Sequence, residues 1–82
     1  PASPELNLAV FKIADCVWFS QPVENKSYGI QVRYRTPAKP GKLAKDNQDY
    51  RVMLDHSERA ITPGQSAVIY DGDVVVGGGI IA

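Results

Sequence analysis

The sequence contains one cysteine and one histidine, and this scarcity excludes several kinds of site. A single cysteine, Cys16, rules out a disulfide within the chain. Cys16 and His56 together cannot fill the four ligand positions of a structural zinc site. Within DCVWF, Cys16 lies among apolar residues, where a buried, unreactive thiol is commoner than a nucleophile. We therefore expect no metal site and no thiol-based catalysis in this chain.

Long apolar runs and net charge are missing as well. No stretch approaches the ~20 apolar residues of a membrane-spanning helix, and no signal-peptide pattern is present. The formal net charge is zero, so the average charge indicates no class of partner. No segment shows the sustained apolar spacing of an amphipathic helix with caps at both ends. These absences predict a domain without helices and without a membrane partner.

The remaining candidates for catalysis do not form a recognisable constellation. His56 lies in LDHSER, a predicted turn, and its acidic and hydroxyl neighbours are adjacent in sequence. Adjacent side chains point apart, so we expect a surface histidine rather than a member of a triad. The acids of DGD lack the regular spacing of a calcium loop, and GGGIIA lacks the lysine and helix of a phosphate loop. We expect no catalytic residue in this chain.

What the sequence does contain is alternation with a period of two, the pattern of half-buried β-strands. Two further segments rich in β-branched and aromatic residues, LNLAVFKI and DCVWFS, predict one long strand or two short ones. The alternating segments are SYGIQVRYRT (27–36), YRVMLD (50–55), SAVIYD (66–71) and DVVVGG (73–78).

Turn residues separate these segments. Pro63-Gly64 predicts a type II turn, and Asp71-Gly72 predicts a two-residue hairpin loop. TPAKPGK (36–42) predicts an exposed loop because of its prolines and glycine, and GGG (77–79) predicts a bend or a close backbone approach. The fold class is therefore all-β, with about six strands in a small closed or partly open β-barrel, since closure removes exposed edges.

The expected domain boundaries follow from composition. Residues 6–82 form the barrel, and residues 1–5, PASPE, read as a linker. The chain begins at Pro1 rather than at a methionine, so we expect it to be a piece of a longer protein.

Basic and acidic residues are segregated along the chain. Residues 26–45 contain six basic residues and no acid, whereas residues 46–73 contain six acids and two arginines. The basic segment is either an anion-binding patch or a solvated face. Strand alternation places Arg33 and Arg35 on one face, where planar guanidinium groups suit phosphate contacts. Lys39 and Lys42, on the flanking loop, would add diffuse positive potential.

Two uncharged residues remain open to two interpretations. Alternation turns Tyr34 towards the core, although a position near a strand end would let its ring stack on a base. Gln65 follows a Pro-Gly turn that fixes its backbone, so it could present a donor and an acceptor to a ligand with little loss of entropy. Alternatively, Gln65 caps the backbone groups of its own turn.

The segments VRYRT (32–36) and RAITPGQSAVIYDGDVVVGGGII (59–81) resemble the C-terminal domain of the bacterial tRNA-specific 2-thiouridylases, the MnmA family. The resemblance covers roughly residues 28–81 and implies a β-barrel similar to those of translation factors. It implies a cytoplasmic parent enzyme that 2-thiolates the wobble uridine of tRNA. An ATP- and Mg-dependent N-terminal domain and a central domain would accompany the barrel, with sulfur delivered by a sulfur-relay donor protein.

For this chain, the resemblance implies tRNA binding without chemistry or a cofactor of its own. The family's tRNA contacts match Arg33, Tyr34 and Gln65, and Arg35, Lys39 and Lys42 are auxiliary candidates for phosphate contacts. The family's reactive cysteines belong to the N-terminal domain, and Cys16 matches neither. The alternative function is a barrel that docks a protein partner or the other domains of its parent. An exposed apolar patch, with Arg33 and Arg35 paired to the acids of residues 46–73, would favour that alternative.

Overall fold

Six antiparallel strands close into a barrel in the computed structural model of the chain, which describes residues 8–33, 36–59 and 61–82. The ring order is β1-β4-β3-β2-β5-β6, with β6 pairing back to β1. This architecture confirms the predicted all-β barrel. Within the described ranges, no helix is long and apolar enough to cross a membrane. The strands are β1 (Leu8–Trp18), β2 (Tyr28–Gln31), β3 (Lys39–Asp46), β4 (Asp49–Glu58), β5 (Ser66–Asp71) and β6 (Val74–Ile81).

Alternation determines which side chains fill the barrel. On β2, Tyr28 and Ile30 point inward, and on β4 the inward residues are Tyr50, Val52 and Leu54, as the period-two pattern predicts. The core is apolar throughout: among the described residues, no polar or charged side chain is buried. Its largest fully buried members are Ile13, Ile30, Leu43, Val52, Ile61 and Ile69.

The first strand is continuous, so the two predicted short segments form a single strand. β1 pairs with β4 through its first half and with β6 through its second half. Its register with β6 shifts between Ala14 and Val17, and Asp15 has a positive φ of 52° there. A β-bulge at this point bends the strand, so that one long strand can pair with both β4 and β6.

Three predicted strand boundaries were wrong. β2 ends at Gln31 instead of continuing through the arginines, because the chain turns away after Val32. β3 begins at Lys39, inside the segment predicted to be a loop. A proline is compatible with this strand because Pro40 precedes the first residue that pairs with β4, so its missing N–H breaks no hydrogen bond between β3 and β4. β4 continues to Glu58, so His56 lies exposed on a strand and not in a turn.

Two of the predicted turns contain a glycine with a positive φ. Gly64 has a φ of 94°, and the amide of Gln65 donates to the carbonyl oxygen of Thr62 at 3.4 Å, which confirms the type II turn. The β5–β6 hairpin is displaced by one residue from the prediction. Asp71 still pairs with Val74, and Gly72, with a φ of 63°, is the first of the two loop residues. A positive φ at that first position is the type II′ pattern, which leaves Asp71 extended.

Candidate nucleic-acid interface

The end of β2 and the start of β5 lie side by side, and this pairing assembles the candidate site. Gln31, the last residue of β2, pairs with Val68 of the antiparallel β5. The segment after Gln31 therefore runs beside the segment that precedes β5. An open groove with a volume of about 410 Å³ lies between them. The groove is lined by Gln31, Val32, Arg33, Gln65, Ser66 and Val68.

Arg33 is half-buried at this groove, and two contacts hold it. Its Nη2 donates a hydrogen bond to the backbone carbonyl of Arg59. Its own carbonyl oxygen accepts from the amide of Thr36 at 3.3 Å. A guanidinium carries five N–H donors, and among the residues that the structure describes only the Arg59 carbonyl bonds to that of Arg33, so most of these donors are left for an anion in the groove.

Gln65 is fixed by its backbone and its side chain together. Its carbonyl oxygen accepts from the amide of Ile81 at 2.7 Å, and the turn bond to Thr62 holds its amide. The side-chain Oε1 accepts from the Thr62 amide at 3.3 Å. Gln65 therefore does cap its own turn, as one of the two interpretations held. In the described part of the chain, no hydrogen bond uses its Nε2, so two N–H donors remain for a ligand.

Gln31 occupies the floor of the groove between the two elements. Its Nε2 donates to the carbonyl oxygen of Thr36 at 2.8 Å, and its Oε1 accepts from the Tyr70 hydroxyl at 3.2 Å. The period-two alternation of QVRYRT (31–36) predicts the same strand face for Gln31 as for Arg33, but no sequence pattern gives Gln31 a role. Tyr70 and the Arg59 carbonyl were missed entirely, because no local pattern indicates which distant groups a loop will contact.

Lys39 and Lys42 do not line the groove. Tyr34 and Arg35 fall outside the described residues, and their roles stay predictions. Lys39 lines a separate recess of about 140 Å³ beside His56 and Glu58. Lys42 lies on β3 opposite Met53 of β4, away from β5. The structure thus brings Arg33 and Gln65 together and places both lysines elsewhere.

The ion pairs of the described chain do not include Arg33. They join Lys12 to Asp49 at 3.4 Å, Lys26 to Asp71 at 2.7 Å and Arg51 to Asp46 at 2.9 Å. Pairing of Arg33 and Arg35 with acids of residues 46–73 would have favoured the docking alternative. The Arg33 guanidinium contacts a backbone carbonyl instead, so this sign is missing for Arg33, and Arg35 lies outside the described residues.

An exposed apolar face lies on β1 and β6, adjacent to the groove. We define it by Val17, Phe19, Val75 and Ile80, whose exposed fractions are 62%, 75%, 40% and 38%. They surround a shallow trough of about 330 Å³ that also borders Ser66 and Val68, which the groove shares. Contiguous exposed apolar surface is typical of protein interfaces. The docking alternative had named such a patch as evidence in its favour.

Metal ligands and the thiol of Cys16 are the remaining candidates for chemistry in the described residues. Within residues 8–33, 36–59 and 61–82, no group of three or more His, Cys, Asp or Glu side chains is placed to hold a metal ion. Cys16 is half-buried, and its Sγ donates to the Ile13 carbonyl at 3.7 Å. Burial raises the pKa of the Cys16 thiol above its usual value, and the nearby carboxylates of Asp49 and Asp15 raise it further.

Comparison with known proteins identifies the family of this barrel. Residues 9–81 match the family described as the aminomethyltransferase beta-barrel domain. The tRNA-specific 2-thiouridylase MnmA of Delftia acidovorans is 48% identical over 62 residues, covering 74% of this chain and 17% of the relative.

The corresponding protein of Rhodopirellula baltica is 42% identical over 76 residues, and that of Pseudomonas aeruginosa is 42% identical over 72 residues. Each of these two matches covers 84% of this chain and 19% of the relative, so the chain spans less than a fifth of the length of the curated relatives. On this evidence, the chain belongs to the aminomethyltransferase beta-barrel domain family and corresponds to the C-terminal barrel of the MnmA tRNA 2-thiouridylases.

Proposed function

We propose that this barrel holds tRNA for a tRNA-uridine 2-sulfurtransferase and performs no chemistry itself. The observation that carries the proposal is the meeting of Arg33 and Gln65 in one open groove, although 31 residues separate them in sequence. The named activity of the curated relatives supports tRNA as the polymer that is bound. The N-terminal and central domains of a cytoplasmic parent would supply ATP- and Mg-dependent chemistry, with sulfur from a relay protein.

The two side chains suit complementary parts of a nucleotide. The Arg33 guanidinium matches the geometry of phosphate oxygens, and the free N–H donors of Gln65 match a base edge or a sugar oxygen. Both groups are held by the fold before RNA arrives, so little conformational entropy is lost on binding. Phosphate contacts would orient the tRNA, and the reacting base would lie in the other domains.

A salt titration of tRNA binding tests this proposal. Each phosphate contact contributes about −0.7 to −0.9 to the slope of log K against log salt, so Arg33→Ala should make the slope shallower by about that amount and weaken binding. Arg51→Ala is the matched control, because it removes the same charge from β4, across the barrel from β5. Equal effects of the two variants would show that binding follows overall charge, and the proposed groove would be wrong.

The apolar face supports a second, compatible function, which is docking to the rest of the parent polypeptide. The curated relatives are more than five times as long as the segment that they share with this chain, so they contain ample surface to cover four exposed apolar side chains. Because the face adjoins the groove through Ser66 and Val68, a domain docked there would border the bound tRNA.

Polar substitutions in the full-length protein test the docking function. Phe19→Ser combined with Val75→Ser should separate one thermal unfolding transition into two, because the barrel loses its contact with the other domains. Val23→Ser is the control, since Val23 is 55% exposed but lies outside the trough. A single, unshifted transition in the double variant would refute docking at this face.

A further inference from the structure

Tyr70 contacts a residue of the candidate RNA groove across the β2–β5 pair. On the outer face of this pair, Tyr70 stands directly opposite Gly29, and Gln31 is the next outward residue along β2. Gln31 is thus the diagonal neighbour of Tyr70, a distance that an aromatic side chain can span. The Tyr70 hydroxyl accordingly lies 3.2 Å from the Oε1 of Gln31.

The hydrogen bonds determine the orientation of the Gln31 carboxamide. The carbonyl oxygen of Thr36 can only accept, so the NH₂ group of Gln31 must face it, as it does at 2.8 Å. The carboxamide oxygen then faces Tyr70, and the phenol donates to it. The Thr36 carbonyl therefore fixes the orientation of the carboxamide, and the bond from the Tyr70 hydroxyl holds the carboxamide at its other end.

The two backbone hydrogen bonds of Thr36 connect Gln31 to Arg33. While its carbonyl oxygen is held by Gln31, its amide donates to the carbonyl oxygen of Arg33 at 3.3 Å. The contacts thus form a continuous series from β5 through β2 to the backbone of Arg33. Gln31 and Thr36 are five residues apart, so this hydrogen bond joins the end of β2 to the backbone further along the chain.

We propose that Gln31 and Tyr70 are positioning residues that hold Thr36 and, through its amide, the backbone of Arg33 in place for RNA binding. This inference rests on the proposed function of the groove and adds a mechanism for its preorganisation. Neither residue needs to touch RNA, because the gain comes from ordering Arg33 before binding.

The first test measures how firmly Thr36 is held in the free 82-residue chain. Tyr70→Phe keeps the ring and removes only the hydroxyl, and each lost hydrogen bond of about 0.5–1.5 kcal/mol corresponds to a two- to tenfold change. We expect amide hydrogen exchange at Thr36 to accelerate about two- to tenfold and the Arg33 Nε–Hε NMR signal to broaden.

The matched control is Tyr50→Phe, because Tyr50 also bonds a glutamine carboxamide, that of Gln21 at 3.2 Å. Tyr50 lies on β4, across the barrel from β5, so its loss should leave Thr36 exchange unchanged. Gln31→Met is a second test variant that keeps the side-chain length and removes both bonds. Unchanged exchange at Thr36 in Tyr70→Phe and Gln31→Met would overturn the proposal whatever the RNA results are.

The second test separates positioning from contact by salt dependence. Tyr70→Phe should weaken tRNA binding about two- to tenfold while the slope of log K against log salt keeps its wild-type value, because no phosphate contact is lost. Arg33→Ala should change the slope. Faster exchange at Thr36 with unchanged tRNA affinity would overturn the positioning role. If the wild-type chain binds no tRNA, the proposed function fails, and the exchange measurement still decides whether Thr36 is held by Gln31 and Tyr70.

Discussion

Gly78 on β6 lies so close to Ala67 on β5 that a Cβ on Gly78 would come within 2.2 Å of the Ala67 carbonyl oxygen. The neighbouring Gly79 is similarly crowded against the Ala14 carbonyl of β1, at 2.7 Å. Glycine is therefore required where β6 passes between its two partner strands, and it lets a barrel of six strands close tightly.

Replacing Gly78 by alanine should destabilise the barrel strongly. The added methyl group meets a backbone carbonyl that cannot rotate away, so β5 and β6 must separate, at a cost of about 1–3 kcal/mol or more. Chemical denaturation monitored by circular dichroism measures this change. Gly72→Ala is the comparison, since a Cβ there meets nothing within 4 Å and the cost comes only from its φ of 63°. An equal or smaller loss for Gly78→Ala would contradict the close-packing argument.

Substitutions of Gln65 should separate its capping role from its proposed binding role. Gln65→Glu keeps an oxygen that accepts from the Thr62 amide but loses the N–H donors and adds a negative charge. We expect unchanged unfolding free energy and weaker tRNA binding for this variant. Gln65→Ala should lose about 0.5–1.5 kcal/mol of stability as well, because the Thr62 amide loses its side-chain partner. Wild-type tRNA affinity in Gln65→Glu would leave Gln65 with a structural role only.

The thiol of Cys16 should make stability fall at alkaline pH. Burial raises its pKa in the folded chain, so the unfolded thiol ionises first as pH rises. Stability is therefore constant below the unfolded pKa and decreases as pH rises through it towards the folded pKa. Urea denaturation between pH 7 and pH 10 should show a steeper alkaline decline for the wild type than for Cys16→Ser, since serine does not titrate there. Parallel pH profiles for the wild type and Cys16→Ser would show that the Cys16 thiol does not cause the alkaline loss of stability.

The ion pair between Lys26 and Asp71 should contribute little to stability. The hydrogen bond and charge of Asp71 raise the pKa of Lys26, so any stabilisation is present at neutral pH and is lost as pH rises through the folded pKa. The ammonium is exposed and screened by salt, however. We expect Lys26→Met to change the denaturation midpoint only slightly at low salt and not at all at 1 M salt. A large loss that persists at high salt would contradict surface screening.

Periodicity in the sequence was sufficient for the fold class and for most of the core. Alternation identified the inward faces of β2 and β4, and Pro63-Gly64 identified its turn, because these signals depend on neighbouring residues only. It failed for β3. Lys39 and Pro40 carry loop-forming composition, and their pairing with β2 comes from the closure of the ring rather than from their own propensity.

The sequence by itself determined the strand-forming segments, the apolar core and the absence of groups for a zinc site, since composition and periodicity are local properties. It also singled out Arg33 and Gln65 as residues of interest, through strand alternation and through resemblance to a family. Only the tertiary structure placed them in one groove and connected Tyr70 to Arg33 through Gln31 and Thr36. Those relationships depend on the β2–β5 register, which joins segments more than 30 residues apart and which no local pattern encodes.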